Sequence, residues 1–248
     1  MIDPTLFAEL QALDRVQHRA MRLDVGATRY DRTAGMNALF ITAVEFGDVC
    51  REYPIVFVDA GQSAEGQREV APMAVLGLEP GENLMLAADG TWGARYTPAL
   101  LRGYPLGVVH VDATSYAVCI DVKAGALSTD AGERLFNDAG EPTPFLEERR
   151  HFVEEIEREA QRTRQFGRRL LELDLLRSMR FDASLPDGNK LSVDGFLALD
   201  EEKLAALPDA SVLDLHKTGV LALLHAHQIS LGLMRALVER RVARRATA

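Results

Sequence analysis

Between Ala38 and Gly125 the apolar residues come in short runs broken by turn residues, and no helical pattern separates one run from the next. Parallel strands need crossovers of about a dozen residues or more, usually helical, so this grammar disfavours a doubly wound sheet. The runs Leu39–Val44, Ile55–Val58, Met73–Leu76, Leu84–Ala87, Leu106–Val111 and Ala117–Asp121 read as strands, with turns near Gly61, Gly77–Gly81, Asp89-Gly90 and Gly125. Asp89-Gly90 predicts a hairpin joining Leu84–Ala87 to Trp92–Tyr96. Before this region, Leu6, Leu10 and Leu13 follow a helical repeat and predict a short helix within Pro4 to Arg22.

A second grammar starts near Pro144. Phe145, Phe152, Ile156, Thr163, Phe166, Leu170 and Leu173 recur at helical spacings, marking one long amphipathic helix. Its early turns carry Glu147, Glu148, Glu154 and Glu155 and its later turns Arg162, Arg164, Arg168 and Arg169, a gradient that complements the helix dipole. Lys190–Leu199 reads as a strand after a turn at Pro186-Asp187-Gly188-Asn189. A short helix from Asp200 to Leu207 follows, then a helical region from Leu213 into Arg245 that Gly219 and Gly232 divide. The basic end, Glu239 to Arg245, reads as a solubilising tail, with an interaction arm as the alternative. The expected fold class is α+β: a twisted antiparallel or mixed sheet in the N-terminal half packed with a C-terminal helical region. Residues 1–248 are expected to form one domain, β-rich over about 38–126 and helix-rich over about 144–245.

Composition removes several function classes. With 37 acidic against 28 basic side chains the formal net charge is −9, which disfavours nucleic acid and anionic bilayers as partners. No run approaches the roughly 18 uninterrupted apolar residues of a membrane-spanning helix, and Met1-Ile2-Asp3-Pro4 does not begin a secretory signal. Cys50 and Cys119 are too few and too distant for a disulfide framework, so they read as free thiols and the cytoplasm as the location.

The chemistry-bearing residues are scattered. His225 and His227 on one helix point about 200° apart and cannot readily face one metal, and there is no His-Glu-x-x-His. His110-Val111-Asp112 places a histidine and a carboxylate on one face of a strand, and with His227 it would supply a two-histidine, one-carboxylate metal set. Asp182 to Asn189 fails as a calcium loop, since Ala183 and Leu185 stand where oxygen ligands belong. No nucleophile elbow, phosphate-binding loop or dinucleotide fingerprint occurs, so no cofactor is expected. What remains is the segment from Tyr53 to Pro105, which holds the only tryptophan. Trp92, Arg95, Tyr96, Arg102 and Tyr104 offer a stacking and charge-recognising surface, with Glu82 and Asn83 capping or pinning a turn; the alternative is core and turn construction, in which Trp92 and Tyr96 bury apolar area and Arg95 forms a salt bridge outside. Alternation along a strand would put Trp92, Ala94 and Tyr96 on one face and Gly93 and Arg95 on the other.

An ordered series of phrases runs through the chain: Glu52-Tyr53-Pro54-Ile55-Val56-Phe57, Leu76-Gly77-Leu78, Gly81-Glu82-Asn83-Leu84, Trp92-Gly93-Ala94-Arg95-Tyr96-Thr97-Pro98-Ala99 and Arg102-Gly103-Tyr104-Pro105. It continues through Cys119-Ile120-Asp121, Leu135-Phe136-Asn137, Gly140 to Pro144, Gly195-Phe196 and His225-Ala226-His227. From about His18 to Arg241 the chain resembles the bacterial SapC family. Thr97 stands where the family often has isoleucine, Gly103 where it often has a second arginine, and His225 where it has tyrosine, so the resemblance implies no pair of adjacent arginines. It brings no established catalytic residues. It implies gene neighbours similar to flavin-dependent tryptophan halogenases, cupin-like proteins and outer-membrane uptake systems. The leading expectation is therefore a non-catalytic interaction or accessory protein that recognises a peptide, protein or small ligand. The alternatives are a metal-dependent oxidoreductase or hydroxylase-like enzyme built on His110, Asp112 and His227, and a surface-layer or assembly protein.

Overall fold

In the computed structural model, which describes residues 4–63, 66–112, 115–185, 188 and 190–246, the short apolar runs pair as antiparallel strands and the long periodic run is one helix. The strands are β1 (Leu10–Ala12), β2 (Arg22–Leu23), β3 (Ala38–Phe40), β4 (Ile55–Gln62), β5 (Arg68–Val75), β6 (Leu106–His110), β7 (Tyr116–Asp121), β8 (Leu127–Ser128), β9 (Glu133–Arg134), β10 (Leu176–Ser184) and β11 (Lys190–Leu199). The helices are α1 (Phe46–Val49), α2 (Ala99–Gly103), α3 (Pro144–Glu172), α4 (Glu201–Ala205), α5 (Asp209–Lys217), α6 (Val220–Leu231) and α7 (Met234–Ala246). The fold is α+β. The chain divides into two compact units, Met1–Ala34 with Leu86–Gly93 and Ala99–Arg158, and Gly35–Met85 with Ala94–Pro98 and Glu159–Ala248.

The first unit carries two three-stranded sheets, ordered β1-β7-β6 and β8-β2-β9. Leu106 pairs with Ile120 and Val108 with Val118 across β6 and β7. Leu106, Val108 and Ile120 are buried with Leu23, Leu135, Phe136 and, from α3, Leu146 and Val153. Each such side chain contributes about 1.5–3 kcal/mol by leaving water. A Cβ at Gly107 would lie 3.1 Å from the Phe7 ring, so the missing side chain lets that ring close over the strand. Asp121, fully buried at the end of β7, accepts from the N–H groups of Ala8 (2.8 Å), Glu9 (3.0 Å) and Lys123 (3.1 Å) and from the Tyr104 hydroxyl (3.2 Å).

The helix expected within Pro4 to Arg22 does not form. β1 instead pairs with β7, and the Asp14 carboxylate takes the N–H groups of Val16 and Gln17, each at 2.8 Å, while His18 Nδ1 accepts the Asp14 N–H at 2.9 Å. Sheet pairing and a local side-chain turn satisfy the backbone that a helix would have satisfied. The Leu84–Ala87 hairpin is also corrected. Leu86 and Trp92 form an isolated bridge, and Ala87 N–H reaches Thr91 O at 2.9 Å around a tight turn at Gly90, whose φ is 78°. With no strand over Trp92–Tyr96, the proposed alternation of faces is absent, and Leu86–Gly93 and Ala94–Pro98 belong to different units.

The second unit is built on the sheet β10-β11-β4-β5-β3. Phe46 of α1, Phe57 of β4 and Phe166 of α3 meet with ring centroids 5.8–6.5 Å apart, and His227 of α6 lies 5.1 Å from Phe57. A Cβ at Gly167 would fall 2.6 Å from the Val70 carbonyl oxygen, so this glycine is what allows α3 to approach the backbone of β5. Strand β10 has no counterpart in the sequence reading: Leu176-Arg177-Ser178-Met179-Arg180-Phe181 is polar and largely exposed, and pairing with β11 holds it extended. Of the turn assigned to residues 186–189, Pro186, Asp187 and Asn189 lie outside the described residues.

Candidate functional site

The nominated residues Arg95 and Tyr96 are positioned by one carboxylate of the second unit. Glu52, just before β4, accepts the N–H of Arg95 at 2.8 Å and of Tyr96 at 3.0 Å. The buried Tyr53 hydroxyl donates to the Tyr96 carbonyl, and the Tyr96 hydroxyl donates to Glu45 at 3.0 Å. Glu45, itself buried, uses its other oxygen to accept the N–H and hydroxyl of Thr42, each at 2.8 Å, in a capping box. Charge-assisted bonds of this kind are about twice as strong as neutral ones, so the segment is held rigidly. The exposed Arg95 guanidinium has neither an ion pair nor a hydrogen bond among the described residues. With Tyr96, Glu52, Asp48 and Arg51 it lines a cleft of about 480 Å³, where Asp48 and Arg51 pair at 3.5 Å.

Trp92, Arg102 and Tyr104 lie in the first unit. The half-buried Trp92 ring meets Tyr30 edge to face with centroids 5.9 Å apart. Arg102, in the last turn of α2, lays its guanidinium over the Phe152 ring at 5.1 Å. Tyr104 faces inward: it is buried beside Phe7, and burial, with the Asp121 carboxylate acting in the same direction, pushes its phenol pKa well up. Gly103 is buried as well, and a Cβ there would meet Val153 of α3 at 3.1 Å.

Glu82 and Asn83 pin a turn of the second unit. Glu82 accepts the Leu78 N–H at 3.0 Å and Asn83 Oδ1 accepts the Met85 N–H at 2.9 Å. The same turn docks α7. Arg241, only 2% exposed, contacts Glu79 at 2.5 Å and Glu82 at 3.5 Å, and Arg244 donates to the Asn83 carbonyl at 2.6 Å. The basic end expected as a solubilising tail is therefore a docked helix. Together Val220–Ala246 reach the length and apolarity of a membrane span by composition alone. They fold as two helices parted at 232–233 and contain the buried polar residues His227 and Arg241, so no definite span is present.

The residues of the metal alternative are each occupied by protein groups. His227 has Nδ1 2.8 Å from the Ile55 carbonyl and Nε2 accepting the Leu199 N–H at 3.1 Å, which leaves no ring nitrogen for a metal. His110 pairs with Glu157 at 2.9 Å, and Asp112 accepts the Ser115 N–H at 2.8 Å and its hydroxyl. His216 and His225 are exposed. No group of three or more His, Cys, Asp or Glu side chains suited to a metal occurs among the described residues.

The SapC family model matches residues 13–237. The chain belongs to the SapC family. The match takes in all seven nominated residues and Glu45, Glu52 and Tyr53 behind them, whereas Arg241 and Arg244 lie past it. No curated protein and no solved structure matches the chain significantly. For this SapC-family chain, sequence reasoning missed Glu45 and Glu52, which order the Arg95 segment, Arg149 and Phe152, which contact Arg102, and Tyr30, which meets Trp92. The signal for Glu52 was its place in the Glu52-Tyr53-Pro54 phrase heading a strand; the other four carried none at sequence level.

Proposed function

We propose that this SapC-family protein is a non-catalytic interaction or accessory protein that binds a peptide, protein or small ligand through the Arg95–Tyr96 cleft. One observation carries the reading. The backbone and ring of this segment are fixed by Glu52, Tyr53 and Glu45, while the Arg95 guanidinium stands exposed at the cleft without a protein partner among the described residues. A rigid frame around a free cation lowers the ordering cost of binding, and the half-buried Tyr96 adds apolar area beside it. The favoured partner presents a carboxylate to Arg95 and an apolar group to Tyr96. Trp92 and Arg102 are a second candidate surface, whereas Glu82 and Asn83 pin the turn that docks α7 and Tyr104 packs inside the first unit. The cytoplasm is the proposed location.

Affinity capture with the purified full chain, followed by recapture with Arg95→Ala, tests this. The Arg95→Ala protein should lose at least about tenfold in partner retention while unfolding at the same urea concentration, since the side chain makes no bond to any other described residue. Equal retention by the variant would remove the cleft as the binding site.

A further inference from the structure

A different place in the fold, in the first unit, carries an arginine whose surroundings are incomplete. Arg149 of α3 and Arg102 of α2 both lie over the Phe152 ring, at 5.6 and 5.1 Å from its centroid. Among the described residues the Arg149 side chain makes one hydrogen bond, to the Arg102 carbonyl, and its Nε is buried with no hydrogen-bond partner. No carboxylate forms an ion pair with Arg149 among the described residues. Burial holds its pKa below the ordinary guanidinium value; the Arg102 charge acts in the same sense, and Glu148 and Tyr30 oppose it. Tyr30, whose hydroxyl has no hydrogen bond among the described residues, feels the positive charge of both arginines. A half-buried cation left short of partners beside a like charge is costly unless an anion completes it.

The cavity here, of about 400 Å³, is lined by Arg102, Glu148, Arg149, His151, Phe152 and Glu155. Its acidic rim decides what kind of anion fits. Glu148 and Glu155 would repel a doubly charged phosphate or a nucleic-acid backbone, whereas a single planar carboxylate matches the fork of a guanidinium in two parallel hydrogen bonds. We propose that Arg149, with Arg102, forms a binding site for the carboxylate of a small organic acid or peptide, its carbon skeleton resting on Phe152. The site is independent of Arg95, and Trp92 stands against Tyr30 as a built-in reporter.

The test is titration of the full chain with N-acetylglycine and, separately, inorganic phosphate, following the Arg149 Nε–H resonance and Trp92 fluorescence. N-acetylglycine should shift the Arg149 resonance saturably and bind more tightly than phosphate. Arg149→Met, which keeps the apolar stem, should weaken binding about tenfold or more, read by calorimetry. Arg149→Lys keeps the charge without the fork, should also weaken it, and serves if the methionine variant does not fold. Arg95→Ala should bind N-acetylglycine unchanged, so failure here and failure of the Arg95 cleft are separable. No saturable shift, unchanged binding by both Arg149 variants, or phosphate binding as tightly as N-acetylglycine would each overturn the proposal.

Discussion

His227 makes the acid sensitivity of this fold calculable. It is fully buried on α6, and with its proton on Nδ1 it donates to the Ile55 carbonyl while Nε2 accepts from Leu199 N–H, so one neutral ring serves β4 and β11 together. Protonating Nε2 would destroy the second bond and place a charge beside Phe57. Burial accordingly pushes the pKa down from 6.5 to about 4, with the Ile55 carbonyl opposing the shift. Between those values the unfolded chain takes up a proton that the folded protein refuses, so the stabilisation is complete above pH 6.5 and is lost as pH falls toward 4. Integrating that difference between pH 7.5 and 4.5 gives a loss of about 2.5 kcal/mol from this one residue. Carboxylates and the buried His18 also titrate in acid, so the wild-type curve alone is not diagnostic. His227→Gln removes only the one group. Urea unfolding of both proteins at pH 7.5 and 4.5 should show wild type more stable at the higher pH and its advantage shrinking by about 2.5 kcal/mol at the lower. An advantage that does not change with pH would refute the buried, neutral assignment.

Other consequences follow from single contacts. Glu52→Gln weakens a bond accepted by a carboxylate at both Arg95 and Tyr96, and hydrogen exchange at those two amides should accelerate about tenfold; unchanged exchange would show that Tyr53 and Glu45 suffice to hold the segment. Arg241→Ala and Arg241→Met both strand Glu79 and Glu82; the alanine variant should cost about 3 kcal/mol in urea unfolding and the methionine variant less, because it keeps the buried apolar stem, and an unchanged urea midpoint in the methionine variant would deny the ion pairs a role. At Gly77 a Cβ would sit 1.9 Å from the Glu82 carbonyl oxygen, so Gly77→Ala should destabilise by about 3 kcal/mol, and an unshifted urea midpoint would contradict the packing of that turn.

What could be read in advance divides by the kind of force involved. The long helix was legible because Phe152, Ile156, Phe166 and Leu170 repeat at 3.6-residue spacing, and α3 follows that repeat from Pro144 to Glu172. Ile55–Val58 and Leu106–Val111 were legible as strands because the runs are short, apolar and bounded by turns. The failures are positions where partners far along the chain decide. Leu10–Ala12 becomes a strand because β7, more than a hundred residues along the chain, offers it a ladder that pairs Leu10 with Asp121 and Ala12 with Cys119. β10 is polar and exists through β11.

The candidate sites show the same division more sharply. Arg95 and Arg102 were visible as cations among aromatics, yet what distinguishes them is the set of groups that fix their surroundings. Glu52 and Glu45 lie 43 and 51 positions from the groups they bind, and Arg149 lies 47 from the Arg102 carbonyl it reaches. No period or motif links such residues, since the distance between them is set by tertiary packing within each unit and not by local spacing. Chemistry that sequence assigned to one aromatic and arginine surface thus separates into two arginines with opposite surroundings. Arg95 stands on a backbone whose N–H groups at Arg95 and Tyr96 are held by the Glu52 carboxylate and is exposed, whereas Arg149 beside Arg102 is half-buried and short of partners among the described residues. The first should tolerate substitution without loss of stability and lose only binding. The second should gain stability when a carboxylate ligand is added, because a ligand that binds the folded state alone raises its free energy of unfolding in proportion to the logarithm of its concentration above Kd. A rise in the urea midpoint with N-acetylglycine for wild type, absent in Arg149→Met and retained in Arg95→Ala, would tie that difference to the two surroundings.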